Sequence, residues 1–126
     1  MKKINRNFFK SSMFICLCLM IVTLISATVC RPPGRPEPPK IVEIGPTWCI
    51  IEYTAPDDDG GCAITGYRIG YRYKGGLWKV VGSNVKVCKV KLKGLKEGEE
   101  VEFRVSAIND VGEGDSSKPS EMVLLQ

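Results

Sequence analysis

The sequence predicts an all-β domain, a seven-stranded sandwich of two sheets, behind an N-terminal targeting segment. Three observations carry that prediction. Val101, Phe103, Val105 and Ala107 alternate with Glu100, Glu102, Arg104 and Ser106, the period of a strand with one buried face and one wet face. Turn signals at Gly45-Pro46, 57–61, Gly75-Gly76 and 109–114 recur at intervals suited to short strands. No stretch of the mature chain reads as a helix of useful length.

In chain order, the targeting segment comes first. Lys2, Lys3, Arg6 and Lys10 precede an apolar run over 13–29 that ends in small residues, the layout of a secretory signal peptide over 1–30. Cleavage after Ala27 and cleavage after Cys30 both fit. An uncleaved signal anchor is the alternative, with the basic flank cytoplasmic and the domain outside. Either route delivers the domain to an oxidising compartment, and secretion is the expectation. No membrane-spanning or cytoplasmic tail is expected after Gln126.

The Pro-rich leader, 31–38, excludes helix and interior strand and is expected to be extended polyproline-like chain. Pro33, Pro36 and Pro39 share one face at three residues per turn. That face suits either a PxxP ligand or a stiff spacer that blunts the first strand's edge; the spacer is the expected role. The domain proper, 39–126, holds strands over 40–44, 47–54, 64–73, 77–81, 86–92, 100–107 and 121–125. Cys49, Ile51 and Tyr53 share one face of the second. Tyr67, Ile69, Tyr71 and Tyr73 alternate with Arg68 and Arg72 in the third.

Composition removes several function classes. The 126 residues make room for one domain. The 18 basic residues exceed the 14 acidic ones by four, and those four all precede the apolar run, so the folded part is neutral. A general nucleic-acid footprint is therefore unsupported. The chain has no histidine, which removes the usual general base, the common triads and most zinc sites. No cofactor or metal is expected.

Pro56, 58–61, the run Ile64-Thr65-Gly66-Tyr67, Tyr71-Arg72, Trp78, Leu95, Gly98, Phe103-Arg104-Val105, Ala107, Asn109, Gly112, Gly114 and Ser117 stand in the order and spacing of a known module. Over 36–125 the chain resembles the fibronectin type III family, with wording nearest to its titin- and twitchin-type modules. The resemblance implies an immunoglobulin-like sandwich with the first, second and fifth strands in one sheet and the other four in the second. It also implies loops that bind partners. Two positions depart from the family pattern. Tyr53 stands where the family has a core Trp, so its hydroxyl must reach a carbonyl or the surface. Val101 stands where the family has a corner tyrosine, and the hydrogen bond lost there is worth on the order of 1 kcal/mol.

Cys16 and Cys18 leave with the targeting segment. Within the implied fold, Cys62 and Cys88 lie at the same end of the sandwich. Their bridge would close a loop of about 25 residues and contribute roughly 3–4 kcal/mol; reduced thiols and an intermolecular bond are the alternatives. Cys49 is expected as a buried free thiol.

Two surfaces are candidate sites. The loop over 109–115 is a usual recognition surface in the family, and Asn109, Asp110, Val111, Glu113 and Asp115 are its candidate partner-binding residues. Lys89, Lys91 and Lys93 project from one strand face, either as a polyanion-binding ladder for an acidic glycan or membrane surface or as a solubilising face. Asp57, Asp58 and Asp59 suit an exposed turn better than calcium, which takes about six to eight converging oxygens. The chain carries no Arg-Gly-Asp and no Asn-x-Ser/Thr acceptor. The expected function is a secreted binding or adhesion module rather than an enzyme, its partner an unknown extracellular protein. A glycan binder and a secreted inhibitor are the alternatives.

Overall fold

The computed structural model describes residues 29–126. The expected signal segment lies almost wholly outside the described residues. Among these, no helix is long and apolar enough to cross a membrane. Seven strands form, β1 (Lys40–Ile44), β2 (Trp48–Glu52), β3 (Gly66–Tyr73), β4 (Lys79–Val85), β5 (Lys89–Lys93), β6 (Glu100–Ile108) and β7 (Val123–Leu124). They make two antiparallel sheets in the orders β1-β2-β5 and β4-β3-β6-β7, the partition the sequence implied.

Alternation decides the packing. Val101, Phe103, Val105 and Ala107 of β6 are wholly buried, in one core with Cys49 and Ile51 of β2, Tyr53 just after that strand and Leu92 of the neighbouring β5. Strand β3 lies along β6 from Gly66 opposite Ile108 to Tyr73 opposite Val101. Cys49 is the expected free thiol; burial pushes its pKa up to about 11, so the reactive thiolate is absent near neutral pH.

The outer face of β6 is less wet than its charged residues suggest. Glu102 and Ser106 are buried. Arg72 pairs with Glu102, and the Arg72 and Arg104 guanidiniums both lie over the Trp78 ring, 4.7 and 4.4 Å from its centroid. The Ser106 hydroxyl donates to Glu113 at 2.5 Å, and Glu113 also holds Arg68 at 3.1 Å. These cation–ring contacts and ion pairs cover part of the sheet where the pattern led one to expect solvent.

Strands β2, β3, β5 and β7 are shorter than expected and β4 is longer. Strand β4 runs on to Val85, because two register shifts against β3 keep it paired beyond the expected end, with Asn84 at φ 57° near its finish. Strand β7 is reduced to two residues. Ser117 and Ser120 take over its pairing. Their backbone amides donate to the Val105 and Phe103 carbonyls, both at 2.7 Å. Their hydroxyls accept from the Val105 and Phe103 amides at 3.0 and 2.9 Å.

Both departures from the family pattern are compensated by relocated hydroxyl groups. The Tyr53 hydroxyl donates to the Val87 carbonyl at 2.5 Å, and its ring meets Tyr67 edge-on with centroids 5.0 Å apart. At the corner between β5 and β6, Val101 fills the core while Tyr73, its partner on β3, supplies the hydroxyl. The Lys96 amide donates to that oxygen at 3.0 Å. The turn closes further through Leu95 N to Thr47 O at 2.9 Å and Gly98 N to Leu125 O at 2.8 Å, with Gly94 and Gly98 at φ 76° and 85°.

Tyr73→Phe should therefore lower stability by about 1 kcal/mol. Equilibrium urea unfolding checks this, with the midpoint falling, the slope unchanged, and Tyr71→Phe as the comparison variant.

Candidate interaction surface at the loop end

Three segments meet beyond the C-terminal end of β6: the leader, the loop after β2 and the loop after β6. The loop after β2 turns on its own aspartates. The Gly60 amide donates to Asp58 at 2.9 Å and the Gly61 amide to Asp59 at 2.8 Å, the local bonding that makes Asp a turn residue. Gly60 sits at φ 79°, and a Cβ there would lie 1.9 Å from the Arg31 carbonyl oxygen. Only glycine meets both demands.

The leader is a packed part of this end. Arg31 N donates to Gly60 O at 2.9 Å and Gly34 N to Asp58 O at 2.8 Å. The Arg31 guanidinium grips both Asp58 oxygens at 2.9 and 3.0 Å. Pro33, Pro36 and Pro39 are buried, so the shared proline face is turned into its own domain and presents no free PxxP surface. A Cβ on Gly114 would stand 2.0 Å from the Pro33 carbonyl.

Asn109 joins the three segments. Its side-chain NH2 donates to the carbonyls of Arg31 at 2.8 Å and Asp59 at 2.9 Å. Its side-chain oxygen accepts from the amides of Val111 at 3.0 Å and Gly112 at 3.3 Å. At 3% exposure, it organises the loop from within and offers nothing to a partner. Glu113 is likewise engaged, with Arg68 and Ser106. Asp110, Val111 and Asp115 remain solvent-facing.

The disulfide joins Cys62 to Cys30, with Cα atoms 5.7 Å apart, and not to Cys88 as the sequence reading expected. Leader pairing with residues 58–60 brings Cys30 alongside Cys62. Cys88 is a free, exposed cysteine. Its carbonyl accepts from Tyr53 N at 2.9 Å. Burial, first, and Cys88, second, raise the Tyr67 pKa.

The lysine ladder lies along a free sheet edge. Lys89, Lys91 and Lys93 are exposed on β5, the outermost strand of its sheet. They face Glu52, Ile50 and Trp48 across the ladder. Among the described residues none of the three has an ion-pair partner; the Lys91 ammonium rests 4.2 Å over the Trp48 ring.

Comparison with known proteins agrees with this architecture. The family model for the fibronectin type III domain matches residues 34–123, and the chain belongs to that family. It is 36% identical over 84 residues to the titin homolog of Caenorhabditis elegans, an alignment covering 65% of this chain. It is 35% identical over 92 residues to slow-type myosin-binding protein C of Homo sapiens, covering 70% of this chain. Those alignments take in 0%, to the nearest percent, and 8% of the two relatives, so the chain corresponds to one module of much longer proteins. A crystal structure of titin domains superposes with a TM-score of 0.73 at 27% identity, covering 76% of this chain and 33% of that one.

Cys30→Ser or Cys62→Ser should lower stability by roughly 3–4 kcal/mol, since the bridge spans 32 residues. Cys88→Ser should stay within about 0.5 kcal/mol, as exposed substitutions do; denaturant unfolding measures all three. Asn109→Ala should cost about 2–3 kcal/mol by orphaning buried groups. Asp58 gives a pH dependence. The Gly60 amide, first, and the Arg31 guanidinium, second, hold its carboxyl below the ordinary value of 3.8. A depressed folded pKa makes its contribution present above that value and lost as pH falls through the folded pKa. Asp58→Asn should therefore be less stable than wild type at pH 6, with the two unfolding curves converging as pH falls through the depressed folded pKa of Asp58.

Proposed function

We propose that the domain is a secreted protein-binding module that uses the solvent-facing tip of the loop after β6, and that it is not an enzyme. The Cys30–Cys62 bridge is the observation that carries this reading. Disulfides persist in oxidising compartments, which agrees with the signal-like N-terminus. A bridge that ties the leader to one loop, with Asn109 tying both to the other, also supports a rigid platform. Preorganised loops bind with a smaller ordering cost, and Asp110, Val111 and Asp115 extend from that platform. The chain supplies no histidine for general-base work. An inhibitor of an extracellular enzyme would use the same loop tip.

A second reading, a glycan or membrane-surface binder, is favoured by the three exposed lysines of β5, which have no ion-pair partner among the described residues. Side chains at alternate positions on a strand are spaced about 7 Å apart, which suits a linear polyanion.

Capture of partners from extracellular fluid by the secreted domain separates the two. The triple variant Asp110→Ala, Val111→Ala, Asp115→Ala should lose the captured protein by at least tenfold while unfolding at the wild-type midpoint. Under the second reading it is Lys89→Ala, Lys91→Ala, Lys93→Ala that abolishes retention, on a heparin column at low salt.

A further inference from the structure

We infer that the targeting segment is removed upstream of Cys30, after Ala27, so that the mature chain begins at Thr28 and keeps Cys30 as a structural residue of the domain. This rests on the secretory reading above. The sequence offers two exits, after Ala27 and after Cys30, and both end in a residue small enough for the protease. The fold separates them. A cut after Cys30 would discard one half of the bridge and leave Cys62 unpaired at the loop end.

The contacts beside the bridge argue the same way, independently of it. Arg31 donates its backbone amide to Gly60, grips Asp58 and gives its carbonyl to Asn109. Cleavage after Cys30 would make Arg31 the terminal residue, and its amide would become a charged α-ammonium. Chain ends fray unless tied down, and a chain that starts at Thr28 keeps Arg31 an interior residue with a neutral amide. Cα atoms 5.7 Å apart lie inside the usual disulfide range of about 4.4–6.8 Å. Leader pairing with residues 58–60 is the contact that sets the two cysteines side by side.

The chemistry has two steps. A signal-peptidase-type protease hydrolyses the Ala27–Thr28 amide, water giving its hydroxyl to the Ala27 carbonyl carbon and a proton to the Thr28 nitrogen. The Cys30 and Cys62 thiols then lose two protons and two electrons, taken up by the disulfide of a thiol–disulfide oxidoreductase of the secretory route, which becomes a dithiol.

The test is expression of the full chain in a secreting host. Intact mass and non-reducing peptide mapping are read on the protein from the medium, before and after reduction and alkylation. The expected result is an N-terminus at Thr28, a linked Cys30–Cys62 peptide pair, and two further alkyl groups added only after reduction. A secreted protein beginning at Arg31 overturns the inference and leaves secretion standing. An uncut chain retained in the cell overturns the secretory reading and the inference with it. Cys30→Ser gives the second measurement, with the N-terminus still at Thr28 and Cys62 alkylated without reduction. If Cys62 stays protected in that variant by pairing with Cys88, the structural role assigned to Cys30 is wrong.

Discussion

The pairing of β6 with β3 is the constraint on which the other features depend. It runs from Gly66 opposite Ile108 to Tyr73 opposite Val101 without a register shift, and β6 presents four wholly buried side chains to the core. Because side chains alternate, a slip of one residue would exchange Val101, Phe103, Val105 and Ala107 for Glu100, Glu102, Arg104 and Ser106. Burying those charges unpaired is prohibitive, so the register has one solution. From it follow the position of Tyr73 beneath the corner, the outward amides that Ser117 and Ser120 satisfy, and the placement of Asn109 just past the strand's end.

The two unusual core positions show how such a fold absorbs substitution. A hydrogen bond need not originate from the residue that makes it in related modules; it needs a hydroxyl within reach of the same backbone group. Val101 provides volume and its cross-strand partner Tyr73 provides the oxygen, so packing and hydrogen bonding are divided between neighbouring strands. Tyr53 divides its roles within one side chain, with its ring in the core and its hydroxyl on the Val87 carbonyl. Neither solution involves a cysteine. The bridge secures the opposite end of β6 from the corner, so it answers a different need, the closing of the leader against the two loops.

The strand pattern was legible because it depends on local alternation. Strand β1 occupies the expected 40–44, and the inward residues of β2, β3 and β6 are those their spacing marks. The proline face was legible as well, since Pro33, Pro36 and Pro39 fall at three residues per turn, but a one-dimensional pattern does not say what covers such a face. The shielding of Glu102 by Arg72 and Trp78, and the withdrawal of Asn109 from the loop surface, were hidden for the same reason. Each depends on side chains from other strands. One local signal for Asn109 was present: an Asn followed by a glycine-rich loop is a residue prone to bond its own backbone.

By itself the sequence determined the fold class, the faces of the strands and the family, because these follow from residue period and turn chemistry along the chain. Tertiary structure decided the cysteine partner, the source of the corner hydroxyl and the loop residues left facing solvent. Those are questions of distance between segments remote in sequence. Cys30 lies nearer to Cys62 than Cys88 does because the leader folds back along residues 58–60, and nothing in the order of the residues specifies that return.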